Sequence, residues 1–255
     1  MLTEAQRTSP GFLRGLALLR RLAAYHQYEA FGLDEILHIK TGAIVVLNHS
    51  LALYDAMLLQ LAGYEASGRW VHPMADRLMF KLPGIGAAFS AMGFVEGSRE
   101  TAIRLLLDGD VLGVLPGGMR EALRSSRQKY TIDWTGRYGF VRMSLVSGTP
   151  IVLAACPRAD DIFEVADSSL TRWAYDRFRL PLPFFHGRGP TPVPRPVKLW
   201  HVMSEPIFPP AGGMLDDDTV HAHHALLVER MQALMQRALD YPDSGPNSRF
   251  QAGNA

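Results

Sequence analysis

A histidine and an aspartate with five residues between them form the pair in this sequence best suited to chemistry. His49 directly follows the apolar run 43–47, and Asp55 is the only charged residue between His49 and Glu65. A buried carboxylate needs a partner, so we expect Asp55 to accept a hydrogen bond from one nitrogen of the His49 ring. The other nitrogen, made more basic, could then take a proton from an attacking alcohol. The alternative is a core histidine that a neighbouring carboxylate satisfies without any chemistry.

Two later segments offer groups that could hold an anionic substrate. Ser98 is predicted to cap a helix, and Arg99 at the start of that helix is well placed to bind an anion. In the second segment, Pro116 is followed by Gly117 and Gly118, which let a substrate approach the backbone closely. The alternatives are a solvent-facing arginine in the first segment and a simple tight turn in the second.

Arg120 and Glu121 complete the second segment. We expect Arg120 to bind a phosphate or a developing oxyanion, and Glu121 to pair with Arg120. The single cysteine, Cys156, lies in a predicted buried strand and is expected to be inert packing. One cysteine allows no internal disulfide, which favours a reducing compartment, the cytoplasm.

Three histidines near the C-terminus invite a metal interpretation. His221, His223 and His224 point in different directions on a predicted helix, and they lack a second ligand pair at suitable spacing. A solvated helix surface is therefore expected rather than a metal site. The sequence predicts neither a metal nor a resident cofactor.

The elements that must position these residues alternate between short apolar runs and helical patterns. This alternation predicts an α/β fold, with a mixed, largely parallel sheet flanked by helices. His49 then lies at the carboxyl edge of the sheet, where open α/β folds bind ligands. A proline-rich stretch, 180–196, predicts a surface loop. The predicted strands cover 43–47, 70–73, 111–115, 151–156 and 197–203, and the predicted helices cover 12–30, 53–62, 99–108, 139–147 and 219–239.

Length and composition favour one domain. The chain has 255 residues, 47% of them hydrophobic, and a net charge of +1, which gives no overall attraction to nucleic acid. Residues 1–30 are predicted to contain an amphipathic helix too rich in arginine to span a bilayer. Its apolar face could lie on a membrane surface or pack on the core, and the pattern leaves both open. The apolar face of this helix comprises Phe12, Leu16, Leu19 and Ala23. At the other end of the chain, residues 242–255 are polar and are predicted to be disordered.

Taken in order, these blocks resemble the lysophospholipid acyltransferase superfamily, which includes glycerophosphate and acylglycerol acyltransferases. The resemblance covers most of the chain between Tyr25 and Pro209. The superfamily usually has four residues between its histidine and aspartate. The five between His49 and Asp55 are similar to the diacylglycerol acyltransferase-like and phytyl ester synthase-like branch. Gly117 stands where the glycerophosphate enzymes have a glutamate.

The resemblance implies a glycerophosphate acyltransferase-like domain over residues 31–241. It implies that His49 is the general base, that Asp55 orients it, and that Arg99 and Arg120 bind phosphate. The implied reaction moves an acyl group from acyl-CoA or an acyl carrier protein to a lipid hydroxyl, with peripheral contact at the inner face of the membrane. An ester or thioester hydrolase and a non-catalytic lipid-binding protein are the alternatives, although no Gly-x-Ser-x-Gly motif occurs. The acyl-transfer site would be lined by Pro116, Gly117, Gly118 and Glu121.

Overall fold

A twisted sheet of eight strands forms the centre of the protein. The computed structural model describes residues 3–39, 41–81, 83–167, 177, 184–210, 215–241 and 249–251. Within these residues the strand order is β10-β1-β9-β6-β2-β5-β3-β4, and β7 pairs with β8 as a separate ribbon. The strands are β1 (Glu29–Phe31), β2 (Ala43–Leu47), β3 (Val71–Ala75), β4 (Val95–Glu96), β5 (Val111–Val114), β6 (Ile151–Ala155), β7 (Glu164–Val165), β8 (Phe185–His186), β9 (Trp200–Met203) and β10 (Arg249–Gln251).

Five neighbouring strands of the sheet run parallel. They are β6, β2, β5, β3 and β4, with Val45 opposite Val152 on one side and Gly113 on the other. Strand β9 is antiparallel to β6, and β1 is parallel to β9 but antiparallel to β10. The predicted class, a mixed and largely parallel α/β sheet, is confirmed.

Helices cover both faces of the sheet, which explains why β2 and β6 are apolar along their whole length. Val45 packs in the same core as α2 and α4, whereas Ile44 packs with α7, α9 and α10 on the opposite face. The helices are α1 (Glu4–Arg7), α2 (Pro10–Tyr25), α3 (Asp34–Leu37), α4 (Tyr54–Ser67), α5 (Arg77–Lys81), α6 (Ile85–Ala91), α7 (Arg99–Leu107), α8 (Gly118–Ala122), α9 (Gly139–Ser147) and α10 (Asp217–Leu239).

The first long helix is shorter than predicted. Ser9 caps its start, and Gln27, with a φ of 45°, turns the chain just after its end. Residues 29 and 30, predicted as helix, instead belong to β1. The apolar face of α2 packs in the core, so the alternative in which this face lies on a membrane is wrong. Its members are Phe12, Leu16, Leu19 and Ala23.

The two regions predicted to lack regular structure contain short strands. Residues 184–196 of the proline-rich loop include β8, which pairs with β7. Three residues of the predicted disordered tail, Arg249–Gln251, form the edge strand β10 beside β1. The rest of that tail, residues 242–248 and 252–255, lies outside the described residues.

Candidate active site

His49 lies just beyond the carboxyl end of β2 and is only 8% exposed. Its Nδ1 is 3.0 Å from the backbone oxygen of Ser50. A carbonyl oxygen can only accept a hydrogen bond, so Nδ1 carries the ring proton and Nε2 has the free lone pair. Nε2 forms no hydrogen bond with any described residue, and it is not among the fully buried unpaired atoms. The ring is thus held in the tautomer that a general base requires.

Burial also sets the charge of this ring. It lowers the pKa of His49 to about 4, the hydrogen bond to Ser50 acts in the opposite direction, and Arg124 lowers the pKa further. At neutral pH the imidazole is therefore uncharged, which is the form that can accept a proton.

Asp55 lies in the first turn of α4, 1% exposed, and it bonds to Ser50 instead of His49. Oδ1 accepts a 2.6 Å hydrogen bond from the Ser50 hydroxyl. The predicted direct hydrogen bond between the His49 ring and Asp55 is therefore wrong. The turn before α4 explains the difference: Leu53 adopts a φ of 62°, the helix begins only at Tyr54, and Ser50 takes the place next to the carboxylate. Asp55 reaches His49 through Ser50.

The Asp55 carboxylate is unusually easy to protonate. Burial raises its pKa to about 6, while the hydrogen bond from Ser50 lowers it, and the charge of Asp160 raises it further. Oδ2 is fully buried and has no hydrogen-bond partner among the residues that the structure describes.

Glu121 holds the other side of His49. It is 1% exposed on α8, and its Oε2 accepts a 3.0 Å hydrogen bond from the backbone N–H of His49. Oε1 accepts from the backbone of Asp133 and forms an ion pair of 3.3 Å with Arg124. Burial raises the pKa of Glu121 to about 7, although Arg124 and the two backbone amides act in the opposite direction. Glu121 thereby ties the loop after β5 to the end of β2.

The predicted pairing of Arg120 with Glu121 is wrong. Residues three apart on a helix are neighbours, whereas adjacent ones diverge, so Glu121 meets Arg124 rather than Arg120. Arg120 instead pairs with Asp133 at 3.1 Å, with nearly half of each side chain exposed. Arg124, which the sequence analysis missed, also donates to both carboxylate oxygens of Asp160 at 2.7 Å. Its position three residues after Glu121 was the available signal.

The glycines after β5 make room for this arrangement. A Cβ on Gly117 would overlap the Glu121 side chain, so only glycine lets the carboxylate lie against the loop. Gly118 has a φ of 55°, and nothing lies within 4 Å of the place where its Cβ would be. Gly117 therefore positions Glu121, and Gly118 supplies the turn.

A cavity of about 460 Å³ opens beside Pro116, and we call it the basic cavity. Ser98 caps α7 as predicted, which places Arg99 at the rim. Arg99 and Arg137 form no ion pair with any described residue, whereas Arg142 pairs with Asp217 at 2.6 Å. His49 is not part of the lining. The other lining side chains are mostly apolar: Met74, Val114, Leu115, Phe140 and Met143.

Of the three C-terminal histidines, His221 is exposed as the sequence predicted, but His223 and His224 are not. His223 and His224 are 6% and 8% exposed, because they occupy the stripe of α10 that packs on the core. The Nε2 of His224 lies 3.1 Å from the backbone oxygen of Trp134. In the described part of the chain, the group of side chains with metal-binding spacing consists of Asp55, Cys156 and His201.

Sequence comparisons relate this chain to known acyltransferases. The acyltransferase family matches residues 27–156, about half of the chain. A Bos taurus protein described as "DGAT1/2-independent enzyme synthesizing storage lipids" is 29% identical over 186 residues, which cover 72% of this chain and 53% of the relative. A protein of Mycobacterium tuberculosis is 30% identical over 172 residues, 65% of this chain and 48% of its own length. The chain thus spans about half the length of these relatives.

A solved structure shares the fold. The crystal structure of the 1-acyl-sn-glycerophosphate (LPA) acyltransferase PlsC from Thermotoga maritima superposes with a TM-score of 0.54. The match covers 93% of this chain and 83% of that chain at 16% identity, so the likeness concerns the fold. Among the residues described here, no helix has both the length and the apolar composition to cross a membrane.

Proposed function

Because this chain belongs to the acyltransferase family, we propose that it moves a fatty acyl group from an acyl thioester to a hydroxyl of a lipid acceptor. The observation that carries this proposal is the fixed tautomer of His49. Its Nδ1–H is held by the Ser50 carbonyl, and its Nε2 is left free. An uncharged imidazole in this state can act as the general base.

The proposed reaction needs no covalent acyl-enzyme. Nε2 of His49 removes the proton of the acceptor hydroxyl while its oxygen attacks the thioester carbonyl carbon. The tetrahedral intermediate collapses, the carbon–sulfur bond breaks, and the thiolate takes the proton back from the imidazolium. The products are an ester and a free thiol, and His49 regains its starting state.

Asp55 and Glu121 serve this reaction by position and charge. Asp55 fixes the Ser50 side chain next to the Ser50 carbonyl that holds His49. Glu121 fixes the backbone of His49 itself. We propose that both carboxylates also favour the imidazolium that forms during the reaction. Neither needs to touch the substrate, so both are positioning residues.

The basic cavity supports an amphipathic substrate that carries a phosphate. Arg99 and Arg137 offer guanidinium groups without ion-pair partners among the described residues, and guanidinium binds phosphate well. The apolar part of the lining suits an acyl or pantetheine chain. Acyl-CoA and acyl carrier protein both carry phosphate, so either donor is compatible. The similarity to the Bos taurus enzyme that synthesizes storage lipids favours a glycerolipid acceptor.

A lipid acceptor requires contact with a membrane surface, and we propose a peripheral one. The buried face of α2 is not available for it. The outer side of the same helix carries Leu13 and Leu18, which are 52% and 57% exposed, beside the exposed Arg14 and Arg21. Exposed leucines next to arginines suit an anionic lipid surface.

The test follows free thiol released from oleoyl-CoA, with and without vesicles that contain monoacylglycerol, diacylglycerol or lysophosphatidate. We expect release to depend on an acceptor and an ester product to form. His49→Ala should lower the rate ~10³-fold or more, since it removes the proposed general base. His72→Ala is the matched control, because His72 is similarly buried but lies on β3.

Two results would overturn the proposal. Thiol release that does not depend on an acceptor would identify a thioester hydrolase. Binding of oleoyl-CoA without turnover of any acceptor, by wild-type protein and His49→Ala alike, would identify a lipid-binding protein.

A further inference from the structure

One half of the Asp55 carboxylate lacks a partner. Oδ1 accepts from Ser50, whereas Oδ2 is fully buried and bonds to no described residue. An unsatisfied buried acceptor is unfavourable, above all when it belongs to an ionised carboxylate. A donor that reaches Oδ2 would therefore change the behaviour of Asp55 and, through Ser50, that of His49.

A buried histidine lies in the same space. His201 on β9 is 0% exposed, and its Nε2 likewise bonds to no group in the described part of the chain. One carboxylate oxygen of Asp55, the Sγ of Cys156 and one ring nitrogen of His201 lie within 4.8 Å of one another. A carboxylate and an imidazole that each have one atom without a partner among the described residues thus lie in one buried cluster, with a thiol next to them.

Tyr28 determines which tautomer of His201 fits. Its hydroxyl lies 2.9 Å from Nδ1 of His201. Burial raises the pKa of Tyr28 well above its usual value, and the charge of Asp55 acts in the same direction, so the hydroxyl keeps its proton. When Tyr28 donates to Nδ1, the ring proton is on Nε2, the nitrogen that bonds to no described residue. The other tautomer would leave Nε2 of His201 as a second buried acceptor without a donor among the described residues, in addition to Oδ2 of Asp55.

We propose that His201 is a positioning residue for Asp55, donating from Nε2 to Oδ2 directly or through one water molecule, with Tyr28 donating to Nδ1. The inference rests on the proposed function, in which Asp55 acts on His49 through Ser50. A donor on Oδ2 favours the ionised carboxylate and fixes its orientation. Cys156 is a weaker donor than an imidazole N–H and is a neighbour in this arrangement.

The other ionisable groups around Asp55 do not supply this stabilisation. Asp160 raises the pKa of Asp55 by its charge, and burial keeps Cys156 a neutral thiol by raising its pKa. Burial, followed by the charge of Asp55, also raises the pKa of Tyr54, which stays neutral. Ser50 and the first backbone amides of α4 favour the ionised form. His201 would add a donor from the opposite side of the carboxylate.

The experiment measures the protonation of Asp55 itself. Infrared difference spectra recorded against pH, with Asp55→Asn as the subtraction reference, give the midpoint of Asp55 without any dependence on activity. We expect His201→Phe to move this midpoint upward from about 6 by about one pH unit. In parallel, kcat should fall about twofold at pH 7 and up to about tenfold below pH 6, with an unchanged KM, because the ionised fraction of Asp55 falls by these factors.

Conservative and control variants separate positioning from general damage to the core. His201→Gln keeps an N–H donor and should recover most of the shift and of kcat. Tyr28→Phe should move the midpoint in the same direction as His201→Phe but less, and it serves as the second test should His201→Phe not fold. His72→Phe should leave the midpoint unchanged. His72 is also buried and has an Nε2 unpaired among the described residues, but it lies on β3 and its Nδ1 bonds to Gly93 in the turn between α6 and β4.

An unchanged midpoint in folded His201→Phe and Tyr28→Phe would overturn the inference, even where His49→Ala is inactive and the proposed function stands. An equal shift in Cys156→Ala alone would assign the partner to the thiol and overturn it as well. So would stoichiometric metal in the purified protein that is lost in His201→Phe, because the three side chains would then be ligands. Should His49→Ala remain active, the proposed function fails, and the infrared titration still decides about the hydrogen bond.

Discussion

The surroundings of His49 and the basic cavity are built in opposite ways. Around His49, every side chain that we assign to the reaction is at most 8% exposed and is held by hydrogen bonds of 2.6 to 3.0 Å. In the basic cavity, Arg99 and Arg137 are exposed and have no ion-pair partner among the described residues. The first region is organised before substrate arrives, and the second keeps its charges available for a ligand. The difference predicts that the two regions control different kinetic constants.

The largest effect after loss of His49 itself should come from the link through Ser50. An aspartate bonded directly to a catalytic histidine is worth ~10⁴-fold in kcat. Here the Ser50 carbonyl fixes the tautomer, and asparagine can still accept from the Ser50 hydroxyl. We therefore expect Asp55→Asn to lower kcat only about 10- to 100-fold, with KM nearly unchanged.

Ser50→Ala tests the same link from its middle. It should have an effect similar to that of Asp55→Asn, and the double variant should be no worse than either, because both changes act on the same hydrogen bond between Ser50 and Asp55. Steady-state kinetics on the three proteins measures this coupling. Additive losses would show that Asp55 and Ser50 act separately, and a ~10⁴-fold loss in Asp55→Asn would indicate direct contact with His49 during turnover.

The basic cavity should show the opposite kinetic signature. Arg99→Ala and Arg137→Ala are each expected to raise KM for the phosphate-bearing substrate about tenfold, with little change in kcat, because each removes one charge-assisted hydrogen bond. Higher salt should weaken binding to wild-type protein more than to either variant. A fall in kcat at constant KM would place these arginines at the reacting atoms instead.

The pH dependence sharpens the comparison further. Above a pH of about 4 His49 is uncharged, so its own protonation does not limit activity in mild acid. The raised pKa values, about 6 for Asp55 and about 7 for Glu121, mean that both carboxylates gain protons as the pH falls through that range. We expect kcat to fall up to tenfold per pH unit below about 6. Asp55→Asn should remove the decrease in kcat that comes from protonation of Asp55, and Glu121→Gln should remove the decrease that comes from protonation of Glu121. If the pH profile of kcat keeps a midpoint near the pKa of free histidine in both variants, the titrating group is His49 and not the carboxylates.

Most of the fold and several residues of the candidate site could be predicted from the sequence, because the patterns that indicate them are local. All five predicted strands and five predicted helices are present, with ends shifted by at most five residues. Apolar strands such as β2 report their burial directly. The amphipathic pattern of α2 could not show whether its apolar face packs on the core or lies on a membrane, because the same face is buried in both cases.

The connections inside the site could not be predicted, because they depend on backbone turns and long-range contacts. The positive φ of Leu53, which places Ser50 next to Asp55, has no marker in a leucine side chain. The hydrogen bond from His49 to Glu121 joins residues 72 positions apart. His201 lies in an apolar strand, where a single histidine carries no local signal of the side chains it meets. The spacing of Glu121 and Arg124, by contrast, was a usable helical signal.

The smallest effect is expected from Arg120, which has the residue type of a substrate-binding arginine but a different environment. Its guanidinium is already paired with Asp133 and with the backbone oxygen of Thr135, at an exposed surface outside the basic cavity. An exposed ion pair is worth at most about 1 kcal/mol, so Arg120→Ala should change thermal stability little and KM about threefold or less. Arg99→Ala, measured in the same assay, is the matched comparison. A larger rise in KM for Arg120→Ala than for Arg99→Ala would show that Arg120 leaves Asp133 to bind substrate. The substrate-binding region would then include the segment after β5 as well as the basic cavity.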